Sequence, residues 1–578
     1  MTETRINAGR AVVQALRAEG VRCVFGLPGG HVITIYDALY DTPEIQHVLV
    51  RHEQAAASMA AGYAQLTGEP GVCLVTAGPG VTNLLTGIAE AYVGCLPIVI
   101  LAGRGATATA QRGASQEVAT ERVFAPVTKW SVRVDRADLL LDVLHRAFLI
   151  ARNGKPGPVL VDIPRDLLGQ DVPEAPYLPA GPPARVAADL GTVAAVAAAL
   201  LGAERPLLVA GGGTSASGGH SELRELGELT ATPVLTTLAG RGSIPDDHPL
   251  SAGGLGVHRC PLSKQLLAEA DVVVGLGARF EEMETNWRPG SVPSPDACYV
   301  QVDIDPAELG KSVPAQIGVV GDIRTVLGQL LEVVRDKAPV ASAAELAAHP
   351  RVALIKEATE QLERRIDAVA ASAQVPMHPL RVIRAVRAAL PREATVAFDV
   401  GSITQHMAGA FPFFRVYEPR SLIVPSSFYG MGFAAAALPA ARIAHPDRPA
   451  LCFVGDGSFQ MVMNVLPVAA EHRLPVTWCV FNDGALGSIR DIQEHVFHGR
   501  ILGTEFAVQP DFARIAEACG CHGRRVTDPA EVDEAIAEAL RANQQGVPAV
   551  PDFLVARERL QQSREHFGIY PEAPKGAL

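Results

Sequence analysis

Two short polar stretches flank an otherwise apolar segment in the last third of the chain, and their residue types suit metal binding. Asp456 lies in GDG at 455–457, and Asn482 opens NDG at 482–484. A hard cation such as Mg²⁺ prefers oxygen ligands and often shares them with diphosphate oxygens. The carboxylate of Asp456, the amide oxygen of Asn482 and a following backbone carbonyl would provide such ligands. The pattern therefore predicts a site for a metal ion and a diphosphate.

Each of these two residues follows an apolar run that is typical of a buried strand. The runs are PALCFVGDG, which contains Asp456, and PVTWCVFND, which contains Asn482. In open α/β sheets, ligands bind just beyond the carboxyl ends of the strands. A GDG turn alone is weak evidence, because many turns contain it, but a second strand that ends in asparagine makes the pattern specific. We therefore expect the two side chains to lie together at one edge of a sheet.

Short apolar runs alternate with longer helical patterns along the whole chain. In the first segment these runs lie at 21–27, 71–78, 97–103 and 157–164. Such alternation is typical of parallel sheets with helices on both faces. A proline-rich stretch at 172–187 and an alanine-rich helical stretch at 336–375 separate this segment from two further α/β units. We predict an α/β fold of three doubly wound parallel-sheet domains, at residues 1–171, 188–336 and 376–560.

The composition excludes several classes of protein. The 578 residues carry a formal charge of −12, which disfavours general binding to nucleic acid or to an anionic membrane. We find no run of about 18 apolar residues, and the N-terminus lacks the apolar core of a signal peptide. The nine cysteines are odd in number and mostly lie in apolar runs, which favours reduced thiols in the cytoplasm.

The chain resembles the acetolactate synthase (acetohydroxyacid synthase) group of thiamine diphosphate (ThDP) enzymes in all three predicted domains. The matching stretches include VFGLPGG (24–30), RHEQAAASMAAGYAQLTGEPGVCLVTAGPGVTN (51–83), PGPVLVDIPRD (156–166), TTLAGRGSIPDDHPL (236–250), VVVGLGARF (272–280), VDIDPAELGKSVP (302–314), GDGSFQM (455–461) and the LG of ALGSIRD (485–491). The resemblance implies that the first domain binds the pyrimidine ring of ThDP and the third binds its diphosphate.

The resemblance also implies which residues carry the chemistry. Glu53, in RHEQAA, takes the place of the glutamate that hydrogen-bonds N1′ of the aminopyrimidine. That contact favours the imino tautomer, whose nitrogen removes the proton from C2 of the thiazolium ring. Met431, in YGMGF, takes the place of the apolar wedge that bends the cofactor. Gln116, in GASQEV, is a further expected catalytic residue.

Further residues are expected to hold ThDP and its metal ion. In the family, the metal ligands are the Asp side chain, the Asn side chain and a backbone carbonyl, which here correspond to Asp456, Asn482 and Gly484. The other expected ThDP contacts are Gly29, Gly30, Gly401, Ser402, Gly457 and Ser458.

The central domain is expected to resemble a domain that binds FAD or another nucleotide. Arg279 in GARF, Asp303 in DIDP and Asp322 are the expected FAD contacts. Met283 stands where the family has an arginine, and many relatives keep this domain without a flavin. A purely structural α/β domain is therefore the alternative.

The sequence departs from the acetolactate synthase pattern where the substrate would lie. Ser115 replaces a phenylalanine, and Ile492 replaces a tryptophan that favours 2-ketobutyrate as the acceptor. The residues at 401–404 replace a polar Gly-Gln-His-Gln stretch. Several such changes together could redirect the choice of acceptor.

The leading hypothesis is a ThDP- and Mg²⁺-dependent carboligase that decarboxylates a 2-oxo acid such as pyruvate and adds the resulting enamine to a second carbonyl. The alternatives are a 2-oxo acid decarboxylase or 2-hydroxyacyl lyase without ligation, a sulfoacetaldehyde acetyltransferase-like enzyme, and a catalytically silent relative. The resemblance implies a homodimer or tetramer with active sites between subunits, and a regulatory subunit is a candidate partner. We expect no nucleic-acid partner and no membrane association.

Overall fold

The described part of the chain contains three six-stranded parallel sheets, each packed with helices. The computed structural model describes residues 5–174, 176–256, 260–285, 287, 290–340, 342–401, 403–404, 408–409 and 412–557. The strands of each large sheet pair in parallel, and a small antiparallel pair stands apart from them. The predicted class, three doubly wound parallel sheets, is confirmed.

The first sheet contains the strands that follow the N-terminus, in the order β3-β2-β4-β5-β7-β6, while β1 and β8 form the antiparallel pair. Its elements are β1 (Arg5–Asn7), α1 (Ala8–Ala18), β2 (Cys23–Leu27), α2 (Ile33–Tyr40), β3 (Gln46–Leu49), α3 (Glu53–Thr67), β4 (Gly71–Val75), α4 (Pro79–Thr82), α5 (Leu85–Val93), β5 (Ile98–Arg104), α6 (Thr120–Phe124), β6 (Trp130–Arg133), α7 (Leu140–Arg152), β7 (Pro158–Pro164), α8 (Arg165–Leu168) and β8 (Asp171–Pro173).

The second sheet has the order β11-β10-β9-β12-β13-β14. Its elements, with the helices that follow it, are α9 (Leu190–Gly202), β9 (Pro206–Ala210), α10 (Gly212–Ser217), α11 (His220–Thr230), β10 (Val234–Thr236), β11 (Ser251–Gly254), α12 (Pro261–Glu269), β12 (Val272–Leu276), α13 (Glu282–Thr285), β13 (Cys298–Asp303), β14 (Ile317–Val320), α14 (Ile323–Val334), α15 (Ala343–Ala347) and α16 (Pro350–Ala370).

The third sheet has the order β16-β15-β17-β18-β20-β19. Its elements are α17 (Pro379–Ala389), β15 (Thr395–Phe398), β16 (Leu422–Ile423), α18 (Phe433–Ala437), α19 (Ala440–Ala444), β17 (Ala450–Gly455), α20 (Asp456–Gln460), α21 (Val465–Glu471), β18 (Thr477–Asn482), α22 (Gly487–His495), α23 (Phe512–Ala518), β19 (His522–Val526), α24 (Val532–Gln544) and β20 (Ala549–Leu554). Of the adjacent strands β15, β17 and β18, the first two are followed directly by Asp399 and Asp456, and the third ends in Asn482.

Helix α3 joins the first sheet to the third. It is rich in alanine and buried along most of its length, because small side chains allow close packing between helices. A Cβ added at Gly62 of α3 would lie only 2.9 Å from Cβ of Ala437 in α18. Gln65 also exchanges hydrogen bonds with the backbone of Val424, at 2.7 and 3.1 Å. One continuous apolar core therefore spans both sheets.

None of the helices in the described parts of the chain is both long enough and apolar enough to cross a membrane.

Candidate active site

The two residues of the predicted metal site lie side by side at the carboxyl ends of β17 and β18. Asp456 is 2% exposed and Asn482 is 5% exposed. Oδ2 of Asp456 and Oδ1 of Asn482 accept hydrogen bonds from the same atom, Nε2 of Gln509, at 2.5 and 2.8 Å. Nδ2 of Asn482 donates to Oδ1 of Asp552 at 2.9 Å, which turns the amide oxygen of Asn482 toward Asp456. Two buried oxygens thus converge on one point, as a hard cation requires.

Gly484, the expected third ligand, lies at the same point. Its N–H donates to Oδ2 of Asp456 at 2.9 Å, and its φ of +70° favours glycine. Its carbonyl accepts from the N–H of Phe506 at 3.0 Å, and a carbonyl oxygen has a second lone pair for a further partner. The structure therefore brings together the three residues expected to bind the metal.

The electrostatics of Asp456 also suit a cation. Burial raises the pKa of its carboxyl to about 7, and the nearby charge of Asp483 acts in the same direction. The N–H groups of Gly457 and Gly484 and the side chain of Gln509 lower this pKa but do not restore its ordinary value. A divalent ion beside the carboxylate would favour its ionised form.

The expected diphosphate contacts lie next to this pair. Ser458 is buried in the first turn of α20, and its Oγ donates to the carbonyl of Val400 at 3.1 Å. Gly401 has a φ of +140°, a conformation that favours glycine. Because glycine has no side chain, a ligand can approach the backbone closely at this point. Gly457 packs closely against Leu486: a Cβ added at Gly457 would lie 2.9 Å from Cδ2 of the leucine. Ser402 lies outside the described residues.

Met431, the expected wedge, lies in a loop held by two buried carboxylates that the sequence analysis missed. Oδ1 of Asp399 accepts from the N–H of Gly432 at 2.9 Å. Oε2 of Glu90, from helix α5, accepts from the N–H of Gly430 at 2.9 Å. Burial raises the pKa of both carboxyls, that of Asp399 to about 6. The backbone on either side of Met431 is therefore held by a residue of helix α5 and by the residue that follows β15.

Glu53 is the first residue of α3 and is buried. Nδ2 of Asn83 donates to its Oε2 at 2.9 Å, so one carboxylate oxygen has a polar partner. A Cβ added at Gly80 would lie 3.5 Å from the other oxygen, Oε1. The glycine therefore keeps space open beside this carboxylate.

Three other expected residues lie on the loops that follow β2 and β5 of the first sheet. A Cβ added at Gly29 would lie 2.5 Å from Cβ of Thr76, whereas one added at Gly30 would meet nothing within 4 Å. Gln116 has a φ of +62°, which is unusual for a residue with a side chain, and its carbonyl lies 2.8 Å from the Cβ position of Gly78. Backbone strain of this kind is concentrated at functional sites.

The expected site residues thus form two clusters in this chain. The Glu53 cluster lies on the loops of the first sheet, and the Asp456 cluster lies at the carboxyl edge of the third. Among the described residues, no hydrogen bond joins the Glu53 carboxylate to Asp456, Asn482 or Gly484.

The three expected FAD contacts line one cavity of about 540 Å³ between the sheets. Arg279 donates to the carbonyl of Val93 at 3.0 Å, and its ionic partner is Glu281, at 3.1 Å. Asp303 is buried, which raises its pKa. Asp322 caps α14 through the N–H of Thr325 at 3.0 Å.

Glycines shape the wall of the same cavity. A Cβ added at Gly213 would lie 2.7 Å from Cα of Gly277, so the loops after β9 and β12 approach closely. This wall offers backbone rather than side chains to a ligand. The cavity and its acidic and basic groups therefore suit a nucleotide.

A second cavity, of about 500 Å³, lies beside Gly401 at the Asp456 cluster. Its lining includes Met283 and Trp287 from the second unit, and Ser488 and Ile489 from the start of α22. Ile492, which we expected near the substrate, lies one helical turn further along α22 and is not part of this lining. Sequence reasoning missed Trp287, Ser488 and Ile489, since no motif marks them.

Three family models, all of thiamine pyrophosphate enzyme domains, match the chain. The N-terminal TPP binding domain of thiamine pyrophosphate enzymes matches residues 6–123, and the central domain of these enzymes matches residues 193–330. The C-terminal TPP binding domain matches residues 399–553. One match therefore falls on each of the three sheets. Thiamine pyrophosphate is another name for ThDP.

The chain is also similar to acetolactate synthase large subunits over nearly its whole length. It is 34% identical to the probable acetolactate synthase large subunit of Methanocaldococcus jannaschii, over 93% of this chain and 90% of that protein. It is 35% identical to the acetolactate synthase isozyme 3 large subunit of Escherichia coli, over 93% of this chain and 92% of that protein. The acetolactate synthase large subunit of Corynebacterium glutamicum is 35% identical, over 96% and 87% respectively.

Proposed function

Because this chain belongs to the acetolactate synthase family of thiamine pyrophosphate enzymes, we propose that it is a ThDP- and Mg²⁺-dependent carboligase. It would decarboxylate a 2-oxo acid, pyruvate above all, and transfer the remaining two-carbon unit to a second carbonyl compound. The observation that carries the proposal is the convergence of Asp456 Oδ2 and Asn482 Oδ1 on one point beside Gly484.

The Asp456 cluster would anchor the cofactor. Asp456 and Asn482 would hold Mg²⁺ against the diphosphate, with the carbonyl of Gly484 as a further ligand. Gly401 and Ser458 would contact the same diphosphate; the φ of Gly401 and the bond from Ser458 Oγ to the carbonyl of Val400 support this role. When bound, ThDP supplies the nucleophilic carbon and stabilises the negative charge that decarboxylation creates.

Glu53 would control the proton of the pyrimidine ring. Its buried carboxylate has one oxygen bound to Asn83 and one facing the space beside Gly80. A carboxylate in such a setting can hold a proton at N1′ by a strong, charge-assisted hydrogen bond. Met431, fixed by Glu90 and Asp399, would set the angle at which the two rings meet.

The active site would form between two chains. The Glu53 cluster of one chain would face the Asp456 cluster of another, which requires a homodimer, and two dimers can form a tetramer. The relatives are named large subunits, so we also propose a smaller regulatory subunit as a partner.

FAD is the proposed second cofactor. Arg279, Asp303 and Asp322 line one cavity, which is large enough for a sizeable part of a dinucleotide. Purified protein that is yellow, or that becomes yellow with added FAD, would support this assignment. Protein that takes up no FAD would contradict it.

The decisive experiment for the function is product analysis. The protein is incubated with ThDP, Mg²⁺ and pyruvate, alone and with other 2-oxo acids or aldehydes. Release of CO₂ with a 2-hydroxy-2-methyl-3-oxo acid or another acyloin is the expected result. Release of CO₂ with free aldehyde would instead identify a decarboxylase, and absence of CO₂ would contradict both functions.

A further inference from the structure

Gln509 occupies the point on which the two metal-site oxygens converge. Its Nε2 lies 2.5 Å from Oδ2 of Asp456 and 2.8 Å from Oδ1 of Asn482. Its other polar atom, Oε1, is buried and has no hydrogen-bond partner among the described residues. A buried amide oxygen without a partner is unfavourable, and such an atom calls for an explanation.

The backbone fixes the approach of Gln509 to this point. The segment 485–509 leaves the site after β18 and returns to it. Ala485 pairs with Glu505, and the N–H of Leu486 donates to the carbonyl of Thr504 at 2.8 Å. The return of the chain thus brings Gln509 back to the cation site.

The NH₂ group of Gln509 occupies the position between the two oxygens that a cation would take. Its hydrogens carry partial positive charge, and they satisfy Asp456 and Asn482 at the same time. A divalent ion at this point would repel those hydrogens but attract an oxygen. The carboxamide has such an oxygen on its other side, and rotation of the side chain can exchange the two.

We propose that Gln509 closes the cation site when it is empty and gives its amide oxygen to the metal ion when one binds. This inference rests on the proposed function, since the ion is the one expected to hold ThDP. Mg²⁺ requires a near-octahedral set of oxygen ligands and usually keeps water in some of the positions. Gln509 takes a position that water would otherwise fill.

The test uses Mn²⁺ with ThDP and the full-length protein, because water-proton relaxation reports how many water molecules contact bound Mn²⁺. The variant Gln509→Ala should add one water molecule to the ion. It should also weaken Mn²⁺ binding about tenfold, the low end of the loss expected when a partner of a metal site is removed. Unchanged hydration and affinity would overturn the proposal.

Two more variants separate ligation from disturbance of the segment. Gln509→Glu keeps an oxygen in place, so it should retain wild-type hydration and bind Mn²⁺ at least as tightly. Gln493→Ala is the matched control, because Gln493 lies in the same segment and bonds to Leu502 and Thr504 rather than to the metal site. If the control gains the same water molecule as Gln509→Ala, the segment rather than the ligand is responsible, and the proposal fails.

The same measurement distinguishes this inference from the proposed function. Wild-type protein that binds Mn²⁺ with ThDP, with no difference in Gln509→Ala, would overturn only the role of Gln509. Wild-type protein that binds no Mn²⁺ in the presence of ThDP would overturn the metal site itself and the role of Gln509 with it.

Discussion

At the scale of single residues, Asp399 is the carboxylate that holds the backbone on either side of the loop containing Met431. It is fully buried and accepts from the N–H groups of Val400, Gly432 and Ala435, at 2.6, 2.9 and 2.9 Å. Burial raises the pKa of its carboxyl to about 6, although these three hydrogen bonds oppose the shift. The group is therefore charged at neutral pH at some cost in stability.

A pH dependence follows from this raised pKa. Between pH ~4 and ~6 the folded protein holds a proton on Asp399 that the unfolded chain has lost. The stabilising contribution of Asp399 is therefore present below pH ~4 and is lost as the pH rises through ~6. Over this range the free energy of unfolding falls by up to ~3 kcal/mol on account of this group. Asp399→Asn cannot titrate here, so its melting temperature should fall less than that of the wild type between pH 4.5 and 7. Equal falls would contradict this account.

Glu53→Gln tests the proposed role of Glu53 at the pyrimidine ring. The variant should bind ThDP nearly as well as the wild type, because the proposed diphosphate contacts lie on the third sheet. Exchange of the C2 proton of bound ThDP should slow by orders of magnitude, since a neutral amide cannot stabilise a protonated N1′. Hydrogen–deuterium exchange followed by NMR gives the rate. Exchange as fast as in the wild type would refute the role.

Site residues that a sequence motif marks could be predicted, and those whose contacts arise only in the folded chain could not. Asp456 and Asn482 were predictable because strand ends meet at one sheet edge. Glu90 was not, because its partner Gly430 is 340 residues away. Gln509 was missed for a different reason: it lies only 27 residues from Asn482, but no motif places it beside Asp456.

At the scale of elements, the sequence located the central strands better than the edge strands. The apolar runs predicted β2, β4, β5 and β7, which are buried along nearly their whole length. The strands β3, β6 and β19 lie at sheet edges and have polar, partly exposed residues, so no apolar run marks them. Edge strands face water on one side, which removes the hydrophobic signal.

Close packing of α3 on α18 predicts a specific coupling between two residues. Gly62→Ala should destabilise the protein by ~1–3 kcal/mol, because the new Cβ would lie 2.9 Å from Cβ of Ala437. Ala437→Gly should cost about 1 kcal/mol through helix propensity. The double variant should be more stable than the sum of the two losses predicts. Thermal unfolding of all three variants measures the coupling, and simple additivity would show that the helices do not meet at this point.

Helix α22 allows a test of where the acceptor lies. We predict little preference for 2-ketobutyrate over pyruvate in the wild type, because Ile492 lacks the aromatic face of the family's tryptophan. Ile492→Trp should raise that preference by roughly ten- to two-hundred-fold in relative kcat/KM, the range for one apolar contact. Competition between the two acceptors measures it.

Ile489→Trp is the matched comparison, since Ile489 lines the cavity beside Gly401 and Ile492 does not. If only Ile489→Trp changes the choice of acceptor, Ile492 is not an acceptor contact. A strong 2-ketobutyrate preference in the wild type would contradict the prediction for Ile492.

At the scale of the whole molecule, exposed apolar side chains occur close in the sequence to site residues of both clusters. Ile33, just after Gly30, is 56% exposed, and Met461, just after the helix of Asp456, is 55% exposed. Phe428, in the loop before Met431, is 46% exposed. Exposed apolar groups near functional residues are typical of protein interfaces. They support an assembly in which each cluster is covered by a second chain.

An active site shared between chains can be tested with two inactive variants. Glu53→Gln would damage the first-sheet cluster, and Asp456→Ala would damage the proposed metal site, so each homodimer should be nearly inactive. In a hybrid dimer, one site receives both damaged residues and the other receives none. Random exchange of subunits in an equal mixture should therefore restore up to about a quarter of wild-type activity. The mixture is unfolded, refolded with ThDP and Mg²⁺, and compared with each variant treated alone. If the site were instead built within one chain, no hybrid would contain an intact site and the mixture would stay as inactive as its components.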